Sequence, residues 1–120
     1  MFVENQDKAL RFYAEVLGFV KKQDKPAGDF KYLTVASPEG PDDIELLLEP
    51  NDNPVAQTFQ QAVFEQQIPA TLFFTEDVQN EYDRLTKLGV VFTTPPSTME
   101  SLVYAVFDDT CGNLIQIVQG

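Results

Sequence analysis

The sequence contains no histidine and no tryptophan. Without imidazole, Ser-His-Asp and Cys-His catalytic arrangements cannot be built, and neither can a metal site that needs a histidine ligand. Carboxylate, amide and tyrosine chemistry remain. Cysteine is nearly absent as well. Cys111 stands alone, which excludes an internal disulfide, a zinc ribbon and a thioredoxin-type pair and fits a reducing compartment. It lies in the turn-rich stretch Asp108-Asp109-Thr110-Cys111-Gly112-Asn113 with nothing to activate a thiolate, so a catalytic thiol is not expected. Basic residues are scarce: 8 Lys+Arg face 19 Asp+Glu, for a formal net charge of -11. Such a surface repels phosphate backbones and anionic leaflets, so neither nucleic acid nor membrane is an expected partner. No apolar run approaches the roughly 18 residues of a membrane span, and Met1 to Leu10 are too charged for a secretory leader. A cytoplasmic location is the expectation.

What is present suffices for one ordinary folded domain. The chain has 120 residues, 43% of them hydrophobic, with no low-complexity tract, enough for one real core. Phe2-Val3 reads as the stub of a strand. Asn5 or Asp7 can then cap a helix that carries Ala9, Leu10, Tyr13, Val16 and Leu17 on one face and stops at Gly18. Phe19-Val20, Phe30 to Ala36 and Ile44 to Leu48 read as strands, separated by Lys25-Pro26-Ala27-Gly28-Asp29 and Ser37-Pro38-Glu39-Gly40-Pro41 as turns. Asn53 as N-cap and Pro54 at the first helical position open a connecting helix with Val55, Phe59, Ala62 and Val63 spaced as a face, closed by Pro69. After it come a strand over Thr71 to Thr75 and a helix capped by Asp77 with Val78, Tyr82, Leu85 and Leu88 inward. Gly89 ends that helix, and Val90 to Thr93, Leu102 to Phe107 and Leu114 to Val118 read as strands.

The second half therefore repeats the βαβββ order of the first. Leu17-Gly18-Phe19-Val20 answers Leu88-Gly89-Val90-Val91, and 89 minus 18 is 71. Ile44-Glu45-Leu46-Leu47 falls on Ile115-Gln116-Ile117-Val118 at the same offset, a register that secondary structure alone does not demand. Residues 1–50 form the first module, 51–69 the connecting helix and 70–120 the second module. Strand alternation puts Ile44, Leu46 and Leu48 on one face and Glu45 on the other. Ile115 and Ile117 likewise oppose Gln116. The apolar faces should meet the helices, leaving a polar residue, Glu45 or Gln116, at the same place on the other face of each copy.

Two segments carry a family resemblance. Asp7-Lys8-Ala9-Leu10-Arg11-Phe12-Tyr13, followed by Val16-Leu17-Gly18-Phe19, is similar to the first helix of the vicinal-oxygen-chelate superfamily, which includes glyoxalase I, extradiol dioxygenases and bleomycin-resistance proteins. Phe107-Asp108-Asp109 leading to Gly112-Asn113 resembles that family's turn before its last strand. The resemblance covers nearly the whole chain and implies an α+β fold of glyoxalase/bleomycin-resistance type: two βαβββ modules whose curled mixed sheets enclose a cleft. In the family's enzymes the cleft holds a divalent metal on four side chains. The first of those positions precedes the family's equivalent of Phe2. The second falls on Glu45, the third on Ala70 or Thr71, and the fourth on Gln116. A lone carboxylate facing a neutral amide is too poor a donor set for zinc, nickel or iron, so no metal and no other cofactor is expected.

Glu45 reads either as an exposed strand carboxylate or as a cleft-wall acid that accepts hydrogen bonds from a ligand, and Gln116 is the same case with an amide. Tyr32, Phe73 and Tyr104, in predicted strands, are candidates to line the remainder of a mostly apolar pocket. Phe12, Phe19, Phe59 and Phe64 read as core, and the Tyr13 hydroxyl as a structural hydrogen-bonding group. Three functions fit: a metal-independent small-molecule-binding protein of the bleomycin-resistance sort; a lyase, isomerase or dioxygenase-like enzyme with Glu45 as base; and a non-catalytic interaction module. The resemblance also implies a homodimer.

Overall fold

The computed structural model describes residues 1–41 and 43–120 and is an α+β structure. Its elements are β1 (Phe2–Val3), α1 (Gln6–Arg11) continued by a π-helical turn (Phe12–Val16), β2 (Val20–Ala27), β3 (Phe30–Ala36), β4 (Leu46–Leu47), β5 (Glu49–Pro50), α2 (Pro54–Glu65), β6 (Thr71–Phe74), α3 (Val78–Lys87), β7 (Phe92–Met99), β8 (Leu102–Asp108) and β9 (Leu114–Gln119). They fall into two compact units, Met1–Gln60 and Gln61–Gly120, so that α2 contributes to both. No helix among the described residues is long and apolar enough to cross a membrane.

In the first unit Asn5 is the N-cap of α1, its side chain accepting from the Lys8 N–H, so Asn5 and not Asp7 starts the helix. The chain leaves through the π-turn, where the Leu17 N–H reaches back to the Phe12 carbonyl at 3.1 Å. Gly18 follows in a left-handed conformation, φ 87°, open to glycine without steric cost. One sheet runs β2-β3-β4, all antiparallel, and β1 pairs with β5 in parallel. Leu33, Val35 and Leu48 are fully buried along with Ala9 and Tyr13 of the helix. Gln6 ties helix to sheet: its Nε2 donates to the Lys31 carbonyl (2.8 Å) and the Leu48 carbonyl (2.9 Å), and its Oε1 accepts from the Lys31 N–H (3.0 Å).

Several boundaries differ from the sequence expectation. Strand β2 continues through Lys25, Pro26 and Ala27, and the turn shrinks to Gly28-Asp29 between the paired residues Ala27 and Phe30. Pro26 is tolerated because β2 is an edge strand and leaves one side of its backbone unpaired. The strand expected over Ile44 to Leu48 is two short ones, β4 against β3 and β5 against β1, with Ile44 and Glu45 preceding both. In α2 Asn53 does cap, accepting from the Val55 N–H at 2.8 Å, but the inward face is not the apolar one. Ala56 and Gln60 are buried, whereas Val55 and Phe59 are 77% and 60% exposed. The reason is backbone chemistry. Gln60 Nε2 donates to the Phe2 carbonyl (3.0 Å) and its Oε1 accepts from Asn51 Nδ2 (2.7 Å), satisfying the carbonyl of a strand that pairs on one edge alone.

The second unit holds a four-stranded mixed sheet, β6-β9-β8-β7, with β6 and β9 parallel. Asp77 caps α3, accepting from the Asn80 N–H at 3.0 Å, and the helix buries Val78 and Leu85. Tyr82 stacks edge-on against Phe92 (ring centroids 4.7 Å), and Phe92 against Phe107 (5.4 Å), which identifies the sheet face that α3 covers. Leu88, expected inward, is exposed because the helix ends at Lys87. β7 begins at Phe92 and continues past Thr93 through Pro95 and Pro96, where the register against β8 slips, the bulged edge that prolines allow. Before β9, Asp109 is fully buried in its turn: Oδ1 accepts from the Cys111 and Asn113 N–H groups (2.7 and 3.1 Å), and Oδ2 from Asn113 Nδ2 (2.9 Å). Cys111 is fully buried beside it.

Candidate functional site

Strand register decides which of the expected side chains share a surface. In the first unit Thr34 pairs with Gln23 on one side and Leu47 on the other, and Tyr32 pairs with Lys25. Partners in register, and residues two apart, lie on one face, so Tyr32, Thr34, Leu47, Gln23 and Lys25 form the face opposite to Leu33 and Val35. Glu45 joins this face through its side chain. The Thr34 hydroxyl donates to Glu45 Oε1 at 2.5 Å and accepts from the Gln23 N–H at 3.1 Å. The backbone reason is a bulge: Lys21 pairs with Val35 and Gln23 with Thr34, leaving Lys22 extra, and the threonine hydroxyl takes up the N–H next to the irregularity. Thr34 is 2% exposed and Tyr32 49%, while Glu45 itself is exposed.

In the second unit Gln116 sits half-buried in the middle of β9, between Leu72 of β6 and Val106 of β8. Tyr104, two residues from Val106, pairs with Val118 and shares that face. Phe73 does not. It pairs with Ile117, and Ile117 lies with Ile115 and Phe107 on the face covered by α3. Leu72 and Phe74 occupy the Gln116 face instead, Phe74 being 82% exposed. The hydrogen bond to Thr34 thus groups Glu45 with Tyr32, while register groups Gln116 with Tyr104 and turns Phe73 to the opposite face of its own sheet. Thr34 was missed. Its signal is a hydroxyl in the otherwise apolar run Leu33-Thr34-Val35-Ala36, two residues after Tyr32.

The donor set at the family's metal positions can be tested on the same register. Ala70 has no side-chain donor, and its N–H bonds to the Leu114 carbonyl at 2.7 Å. Thr71 pairs with Ile115 and so lies on the helix-covered face, away from Gln116. Gln116 is a neutral amide, and Glu45 has one oxygen taken by Thr34. Among the described residues no three His, Cys, Asp or Glu side chains converge. Zinc and similar ions require three or four donors, usually imidazole, thiolate or carboxylate, and these residues do not supply them. A shallow, open depression of about 400 Å³ lies elsewhere, lined by Pro54, Val55, Thr58 and Phe59 of α2, and contains none of the expected site residues.

Residues 1–117 match the profile of the Glyoxalase/Bleomycin resistance protein/Dioxygenase superfamily. The chain belongs to this superfamily. It is 55% identical to the uncharacterized protein YurT of Bacillus subtilis (strain 168) over 119 residues, 99% of this chain and 94% of that one. Among solved structures it resembles UcmS2, with a TM-score of 0.86 and 28% identity over 100% of this chain and 93% of that one. It also resembles TnmS3, an antibiotic binding protein from Streptomyces sp. CB03234, with a TM-score of 0.76 and 28% identity over 99% and 91% of the two chains.

Proposed function

We propose that this superfamily member binds a small organic molecule without a metal ion, with Glu45 and Tyr32 on a sheet face of the first unit as one set of candidate contacts and Gln116 and Tyr104 on a sheet face of the second as another. The observation that carries the reading is the donor set: the positions at which the superfamily's enzymes hold metal carry Glu45 bound to Thr34, Ala70 or an averted Thr71, and Gln116. Carboxylate and amide are groups that orient a ligand by hydrogen bonds, and tyrosines supply apolar area with a polar tip. The likeness to an antibiotic binding protein supports the same class of ligand. A homodimer in the cytoplasm belongs to this proposal; the exposed Val55 and Phe59 on α2 support self-association.

A thermal-shift screen of the full chain tests the reading, because a ligand at about 100 times its Kd adds about 2.7 kcal/mol of stability. Organic metabolites and antibiotics are expected to give hits, and Zn²⁺, Ni²⁺, Mn²⁺ and Fe²⁺ none. Glu45→Gln should weaken a hit about tenfold, the loss of roughly one charge-assisted hydrogen bond, with the unliganded melting temperature unchanged. One equivalent of metal held tightly by the wild-type chain would overturn it.

A further inference from the structure

We propose that Thr34 is a positioning residue that makes Glu45 a selective receptor for a ligand ammonium group; this rests on the small-molecule-binding reading above. Thr34 is almost wholly buried, and its hydroxyl has one proton to give. The Gln23 N–H occupies its acceptor side at 3.1 Å, which leaves the proton directed at Glu45 Oε1 at 2.5 Å. A hydroxyl so held fixes the position of the Glu45 oxygen that accepts from it. The Glu45 side chain is exposed and would otherwise sample many rotamers. Thr34 removes that freedom and leaves Oε2 for a second donor.

The neighbours define what that donor can be. Tyr32, half exposed, lies two residues along β3 from Thr34 on the same face, and Leu47 lies across from Thr34, so an aromatic and an aliphatic side chain share this face with the carboxylate. Lys25, opposite Tyr32, is a cation of this face, and no bond from it to Glu45 occurs among the described interactions. A cation attached to a flat apolar body fits both elements: the charge on Oε2, the body on Tyr32, whose ring also attracts cations. An anion is disfavoured by Glu45 and by the chain's net charge of -11.

The test uses 2-naphthylmethylamine and 2-naphthoate as matched probes, titrated into the full chain by calorimetry and followed by amide shifts in NMR. Wild type should bind the amine at least tenfold more tightly than the carboxylate. Thr34→Val should reduce that ratio about tenfold and Thr34→Ser should restore it, a rescue that a merely structural threonine would not give as a ratio between two ligands. If Thr34→Val keeps the ratio while Glu45→Gln abolishes it, the positioning role is wrong and the binding site stands. If wild type binds neither probe, or both equally, the ammonium preference is wrong. Failure of the small-molecule reading itself shows separately, as an absence of hits in the thermal-shift screen.

Discussion

Gln6 and Glu100 show how much can hang on single side chains. Three hydrogen bonds join Gln6 to Lys31 and Leu48, and replacing it by leucine leaves the backbone groups of β3 and of the β4–β5 junction without those partners. An unsatisfied buried group costs about 1–3 kcal/mol, so Gln6→Leu should lower the unfolding free energy by an amount in that range, read from equilibrium unfolding in urea. Glu100 has the opposite sense. It occupies a hairpin turn at φ 55°, where the corresponding turn of the first unit uses Gly28 at φ 66°. Side chains are strained in that region, so Glu100→Gly should stabilise the chain by about 0.5–1 kcal/mol, visible as a higher melting temperature. Neither role was legible from composition. Glutamine and glutamate look like surface residues until the backbone groups around them are located.

At the scale of elements, helix caps and strand identities were legible and strand faces were not always. Asn53, Asp77 and Gly89 act where their residue types predict, because a cap is local chemistry. The face of β6 was not readable: Leu72, Phe73 and Phe74 show no alternation, as strands in parallel pairing often do not, and the pairing with β9 alone decides that Phe73 is turned toward α3. The same limit applied to α2, whose apolar stripe misled because the need of the Phe2 carbonyl outranked it. The α1–β3 contact carries a pH signature. Lys31 Nζ lies 2.8 Å from Asp7 Oδ1, and this hydrogen bond with its charge attraction holds the Asp7 carboxyl below its ordinary range and the Lys31 ammonium above its own. The folded carboxyl binds its proton less readily than the unfolded one, so its contribution is present above about pH 4 and disappears as pH falls through the folded pKa. The lysine contribution is present below about pH 10 and is lost as pH rises through its folded value. Asp7→Asn should therefore lower stability slightly at neutral pH and match wild type in strong acid. Because both groups are exposed, added salt should shrink the difference.

For the whole molecule, charge imbalance is the dominant global term. With a net charge of -11 and the described side-chain ion pairs Lys21–Asp24, Lys31–Asp7 and Arg84–Glu81 at partly exposed positions, self-repulsion opposes the compact state. Raising ionic strength from about 0.02 M to about 0.5 M shortens the screening length from roughly 20 Å to about 4 Å and should raise the melting temperature by several degrees; a fall would mean that the ion pairs outweigh the repulsion. The order of elements was legible at this scale because it rests on caps, glycines and strand composition repeated along the chain. The π-turn of Phe12–Val16 adds something to that order. From the cap Asn5 to the left-handed Gly18 is 13 positions, and from Asp77 to Gly89 only 12. The wider turn takes in one more residue than an α-helical turn does, so an alignment of the two halves must open its gap inside Phe12–Val16, with both flanks in phase. Deleting Ala14 should then convert the turn to ordinary helix and leave a folded chain with its caps in place, measurable as an unchanged near-ultraviolet spectrum.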